Sequence, residues 1–394
     1  MKFGTTAAIY AAAGLMATGA FAQSSDTAAE LAELRERVAE LERTNDRVGR
    51  PNLSFNLGEN TSIELYGFIR AEAFFDFDFA QGDLSSAGNV GNAAFATDGE
   101  FDTSVRVSRF GIRSTTATGI GDIKTQLEFD LFGSGGGDSS SPNLRLRHAN
   151  VNINDTVLVG QFWTNFMPLV HYPTTADFNG PVGITFARVP QARYTYNNGN
   201  GLVLSASIEE PNGGGSDPVF TGAAFYGTDN WSVRAAVLAG EFEGSAGESL
   251  DTNGLTLSAG FSPWQGGTFN ATYVTGQALG NLLIGPGEPE VGGEENDVDG
   301  FTVQYLQEVG EKWTFGIAYG NESYDLATTN TVGEGAGATS NSFTDLESIH
   351  LSAFYRPVDN LTFALEYIYI ESEDDTTGFS ADADRIGASV TFSF

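Results

Sequence analysis

Residues 61–78 read TSIELYGFIRAEAFFDFD, and their period decides the fold. Ile63, Leu65, Gly67, Ile69, Ala71, Ala73, Phe75 and Phe77 are apolar or small, while Glu64, Arg70, Glu72, Asp76 and Asp78 occupy the alternate positions. A period of two predicts a β-strand with one greasy and one charged face. The split recurs at 123–131, where Lys124, Gln126, Glu128 and Asp130 oppose Ile123, Leu127, Phe129 and Leu131. It returns in Trp313, Phe315, Ile317 and Tyr319, and in Leu361, Phe363, Leu365, Tyr367 and Tyr369. A soluble β-sandwich also alternates, but its strands are shorter and its apolar face turns inward.

The connections give a count. Short ones fall at 117–122, 154–156, 197–201, 227–230, 262–267, 310–312 and 357–360. Longer Gly-, Ser- and acid-rich stretches fall at about 80–102, 134–143, 164–187, 210–218, 243–253, 277–299, 323–344 and 372–383. Seven turns alternating with eight loops make sixteen strands, an even number as in outer-membrane barrels. Residues 52–394 then supply about 21 residues per strand plus connection, enough for a membrane-crossing strand of roughly 9–11 residues. Aromatics directly after the short turns (Trp231, Phe269, Trp313, Phe363) form the expected interfacial girdle.

Composition excludes other classes. The chain has 394 residues, 51 acidic against 19 basic side chains, and a formal charge of −32. With 30 Phe, 13 Tyr and 4 Trp it carries too much buriable surface for a disordered polyanion. Its charge repels phosphate backbones, which argues against nucleic acid as a partner. The absence of cysteine removes disulfides and thiol chemistry, and 49 Gly with 12 Pro suggest many turns.

The N-terminus reads as two separate elements. Lys2, the apolar run Ala7–Leu15 and the small-residue site Ala20-Phe21-Ala22 predict a signal peptide over 1–22, leaving Gln23 as the first exported residue. Residues 23–50 contain a heptad, with Leu31, Val38 and Asn45 at a and Leu34, Leu41 and Val48 at d. Three heptads are marginal alone in water, so a trimeric coiled coil is the expectation, ended by Gly49, Arg50 and Pro51. The expected fold is thus all-β: a sixteen-stranded antiparallel transmembrane barrel over 52–394, preceded by a short periplasmic coiled-coil helix.

The last strand, Arg385 to Phe394, alternates Ile386, Ala388, Val390, Phe392 and Phe394 with polar positions. Its terminal Phe394 resembles the signal read by the outer-membrane insertion machinery. SRFGIRSTT (108–116), LRLRHANV (144–151), VGQFWTNFM (159–167), TADFNGPVG (175–183) and RVPQARYTY (188–196), with ELYGFIRAEAFFD (64–76), resemble the DcaP-like trimeric porins. That resemblance implies a homotrimer in the outer membrane, a periplasmic coiled coil, and uptake of small anions such as dicarboxylates.

Charge layout bears on selectivity. Thirteen Lys and Arg fall within 52–394, and nine precede residue 194. Neighbouring antiparallel strands form one wall, so Arg70, Arg109, Arg113, Lys124, Arg145, Arg147, Arg188 and Arg193 are the candidate pore-lining residues. Arg106 has the other parity, which requires a bulge or another direction. The third long loop, 164–187, is stiff with Pro and aromatics; His171, Tyr172, Asp177, Phe178 and Asn179 are its candidate constriction residues.

Enzymatic readings find no support. His148, His171 and His350 are the three histidines, none in a metal-ligand spacing, and no G-x-S-x-G occurs. No catalytic residue, metal or cofactor is expected. The acidic loop Glu288–Asp299 lacks EF-hand spacing and suits solvation or divalent bridging to lipopolysaccharide. The expected function is passive diffusion of small hydrophilic solutes, anions above all, through a lumen with a basic wall. Two alternatives stand beside it: a non-specific or cation-preferring porin dominated by the acidic loops, and an envelope tether acting through the coiled coil.

Overall fold

The structure is a computed structural model. It describes residues 53–394 except 134–141, 213, 216, 245–246, 285–288, 292, 326–342 and 375–377. Sixteen strands build the wall: β1 (Thr61–Asp76), β2 (Glu100–Ser104, continued as Arg109–Thr118), β3 (Gly121–Gly133), β4 (Asn143–Ile153), β5 (Val157–Trp163), β6 (Arg188–Asn197), β7 (Leu202–Glu209) and β8 (Val219–Gly227). The second half comprises β9 (Trp231–Glu243), β10 (Ser249–Trp264), β11 (Gly267–Gln277), β12 (Asp297–Val309), β13 (Trp313–Asp325), β14 (Asp345–Val358), β15 (Leu361–Asp374) and β16 (Phe379–Ser393). Each pairs antiparallel with the next, and β16 returns to β1 from Phe68 opposite Ser393 to Asp76 opposite Arg385.

Alternation places the greasy face outside. Phe75, Phe110, Ile112, Leu127, Leu257, Phe315, Leu365 and Val390 are exposed, whereas Glu72, Asp76, Arg109, Glu128, Asp130, Gln304, Glu322 and Glu366 are buried. That inversion of a soluble protein is what a lipid-facing barrel requires. Trp231, Phe269, Trp313 and Phe363 stand exposed at the first turns of their strands as expected. Trp313 meets Tyr355 at 4.7 Å and Phe269 stacks on Tyr305 at 4.6 Å, which links the girdle from strand to strand.

Closure uses both ends of the described chain. Leu53–Leu57 pairs with Leu65–Thr61, while Phe394 exchanges backbone hydrogen bonds of 3.1 and 3.0 Å with Gly67. Thus one edge of β1 is covered end to end by the C-terminal strand and this N-terminal segment. A Cβ on Gly67 would lie 2.2 Å from the Arg109 carbonyl oxygen, so the close approach of β2 excludes any side chain there. Across the same seam the buried Arg385 guanidinium grips Asp76 through two bonds of 2.6 and 2.9 Å.

Several expectations change. The fold class is corrected to the barrel alone: among the described residues the helices are three 3₁₀ turns of three residues each, and no helix is long and apolar enough to cross a membrane. The coiled coil over 23–50, with Leu31, Leu34, Val38, Leu41, Asn45 and Val48, and the signal peptide over 1–22 lie outside the described residues. Among the described residues the architecture and the localisation are those of the barrel alone, without a periplasmic coiled-coil helix. The break in β2 at 105–108 explains the parity of Arg106, which bonds Asp83 of the first loop and stacks on Phe132. Ser108 patches that break, accepting from Arg70 N at 3.0 Å and donating to Arg70 O at 3.2 Å. The stretches 243–253 and 372–383 shrink because β9, β10, β15 and β16 extend into them.

Removing one partner of the seam pair strands a buried charge. Arg385→Ala is expected to destabilise the barrel by about 3–5 kcal/mol, seen as a lower temperature for loss of the folded band in a heat-modifiability gel.

Candidate functional site in the lumen

The chain leaves the wall after Trp163, so β5 is short, and residues 164–187 cross the barrel before β6 begins. Wall side chains hold that loop by its backbone. Glu366 of β15 accepts from Ala176 N at 3.0 Å and Asp177 N at 2.5 Å, and Glu322 of β13 accepts from Gly183 N at 3.0 Å. Gln304 of β12 both accepts from Thr174 N at 2.8 Å and donates to Thr174 O at 2.7 Å. At the loop entrance Glu209 accepts from Asn165 N and the Thr164 hydroxyl. A buried carboxylate bonded by two or more donors satisfies the amides of an inward loop that has no β-partner.

Most expected constriction residues serve as internal braces. His171 is buried, its Nδ1 2.7 Å from the Ser258 hydroxyl and its Nε2 2.8 Å from Ser232, tying the loop to β10 and β9. Burial, with the nearby Arg234 charge, pushes its pKa down to about 4. Tyr172 donates to Asn179 O at 2.6 Å, and burial raises its phenol pKa. Asp177 accepts from Ser85 N at 3.1 Å and the Ser85 hydroxyl at 2.5 Å, and Asn179 donates to Ser85 O at 3.1 Å, so the first loop stacks on the third. Phe178 faces the opposite wall, 5.6 and 5.3 Å from the Arg109 and Arg147 guanidiniums.

Between loop and wall lies a cavity of about 1410 Å³ that includes open solvent, lined by Arg109, Arg147, Trp163, Phe178, Phe186 and, from the far side, Arg356. The arginine wall is built by register. In β4 the register against β3 shifts at Glu128/Phe129, and both Arg147 and His148 turn inward, 1% and 3% exposed. Arg147 then bridges Glu128 at 2.7 Å and Asp130 at 2.9 Å, and Arg145 bonds Asp130 at 2.6 Å. Arg109 lies 3.5 Å from Glu128. Tyr66 donates to the second Glu128 oxygen at 2.9 Å and carries Arg113 3.8 Å above its ring. Tyr66 can lie across β2 because residue 111 is glycine: a Cβ there would sit 2.2 Å from the ring.

The remaining candidates divide. Arg188 sits 4.9 Å from the Trp163 ring and 5.6 Å from that of Phe186, with one buried guanidinium nitrogen lacking a hydrogen bond among the described residues. Arg193 bonds Gln191 at 2.9 Å and Trp163 O at 2.5 Å. Arg70 pairs with Glu72 at 2.6 Å and reaches Ala176 O of the loop. Lys124 stands apart, paired at 2.8 Å with Asp155 beside a short turn and 42% exposed. Sequence reasoning missed Glu366, Glu322, Gln304 and Ser85 as holders of the loop. Their alternation shows an inward face but carries no sign of which distant amide each meets.

A sixteen-stranded barrel, greasy outside and polar within, whose third long loop folds into the lumen, is an outer-membrane porin. Residues 41–213 match the family profile described as "DcaP outer membrane protein". The outer membrane channel DcaP of Acinetobacter baumannii superposes with a TM-score of 0.74 at 23% identity, over 86% of this chain and 99% of that one. An anion-selective porin from Comamonas acidovorans (TM-score 0.58, 14% identity, 85% and 100% covered) and OmpT of Vibrio cholerae (0.58, 14%, 88% and 100%) share the fold. No protein of curated function matches by sequence. The chain is accordingly an outer-membrane channel for passive diffusion of small solutes. Among the described residues no three His, Cys, Asp or Glu side chains converge on a metal site.

The His171 anchor carries a pH dependence. With the folded pKa below the ordinary 6.5, the neutral form is favoured, so the anchor is intact above about 6.5 and weakens as pH falls toward about 4. Protease susceptibility of the loop is expected to rise across that window in the wild type, and to be high throughout in His171→Ala.

Proposed function

We propose that the lumen is an anion-preferring path, small anions such as dicarboxylates passing between the third loop and the β1–β6 wall of each channel in a homotrimer. One observation carries this reading: four guanidiniums, of Arg109, Arg145, Arg147 and Arg188, gather around two carboxylates, of Glu128 and Asp130. The excess charge sits where the third loop narrows the lumen, so a permeant passes closer to it than to charge on solvated loops. Arg188, held over two aromatic faces without a carboxylate at ion-pair distance among the described residues, offers a docking point that a permeant anion can take and leave. The acidic rim favours the opposite reading, a cation-preferring pore, because the whole chain carries −32. Phe394, bonded to Gly67 at the seam, suits recognition by the insertion machinery, and the exposed apolar belt suits lipid and lipopolysaccharide.

Reversal potentials across planar bilayers in a salt gradient decide between the two. Anion selectivity is expected, reduced about threefold or more by Arg188→Ala, since one charge near the path alters ion energies by about 1 kcal/mol in high dielectric. Clear cation selectivity of the wild type would reject the anion reading. For the constriction, deleting 171–181 is expected to raise single-channel conductance; unchanged conductance would remove the loop from the permeation path.

A further inference from the structure

We infer that Glu128 and Asp130 are specificity-determining residues of the channel: fixed internal counter-ions that limit how tightly the arginine wall holds a passing anion. The inference rests on the anion-path reading and deepens it. Conduction needs a charge strong enough to admit an ion and weak enough to release it. Four guanidiniums without counter-charge would act as a trap.

The geometry shows how the two carboxylates divide the cluster. Asp130 is saturated by Arg145 and Arg147, with bonds of 2.9, 2.6 and 2.9 Å. Glu128 bonds Arg147 through Oε1 at 2.7 Å, while Tyr66 Oη donates to Oε2 at 2.9 Å and in turn accepts from Gln126 at 2.8 Å. Both carboxylates are buried, 3% and 1% exposed, so their charge is poorly screened by salt. Arg147 is consumed by the pair. Arg109 is the half-satisfied member, its Nε 3.5 Å from Glu128 and without a hydrogen bond among the described residues. Arg109 and Arg188 are thereby left to meet solute; removing the Glu128 charge would give the whole of Arg109 to the permeant and leave Arg147 held by Asp130 alone. Alternation also fixes these acids on the same inward face as Arg109, with Glu128 lining the cavity and Asp130 behind the guanidiniums it holds.

The test uses the full chain in planar bilayers, comparing wild type with Glu128→Gln and Asp130→Asn, each of which keeps side-chain volume, removes the charge and leaves one acceptor oxygen in place. The readouts are the chloride-over-potassium permeability ratio in a KCl gradient and the duration of current blocks by citrate, a trivalent probe. Each variant is expected to raise the ratio about fivefold, the effect of removing one unit charge several ångströms from the path, and to lengthen citrate blocks. A cation-selective wild type would defeat the anion path itself. An anion-selective wild type whose ratio and block times stay within twofold in both variants would overturn the counter-ion assignment and leave the path intact. Should Glu128→Gln not assemble, Asp130→Asn alone decides, by the same two readouts.

Discussion

Every backbone N–H and C=O in the hydrocarbon layer must find a partner within the protein, and that requirement governs this structure. A sheet meets it by having no edge. The pairing of β16 with β1, continued by Leu53–Leu57 and by the Gly67–Phe394 bonds, removes the last edge. The buried Arg385–Asp76 pair then sits where the two ends of the sheet are joined, and a charge pair there belongs to the aqueous side of the wall. Outside, side chains meet lipid; inside, they are free to be polar, so all of the chemistry is forced into the lumen.

The same requirement explains the acids of the lumen. A loop that leaves the wall carries its amides into space with no strand to pair them. Glu209, Gln304, Glu322 and Glu366 act as substitutes for that missing strand, each on a different part of the wall. The charge of the three glutamates is directed at backbone dipoles, whereas Glu128 and Asp130 face guanidiniums. The acidic excess of the composition therefore serves two distinct ends within the barrel, and its sign alone says little about what passes through.

The fold was legible because lipid and lumen impose opposite polarity on alternate residues, as in Ile63 to Phe77. The pattern failed where that contrast fails. Glu373, Asp374 and Asp382 lie on β15 and β16, yet read as loop because these strand ends are rich in acidic residues. The arginine wall was legible as a set but not as a geometry. The register shift that turns Arg147 and His148 inward together depends on how β3 meets β4, and nothing local in LRLRHANV states it. The heptad at 31–48 is a strong local period that lies outside the described residues.

The arrangement of the seam bears on how such a chain is made. β1 is among the first segments to leave the ribosome, and the partner that covers its upper half is the last. Until Arg385 to Ser393 pair with it, Phe68 to Asp76 have one bare edge, so no intermediate lacking β16 holds a closed barrel. A sheet in which β16 has not docked is thus marked by an open ladder at the position where the closed barrel is sealed.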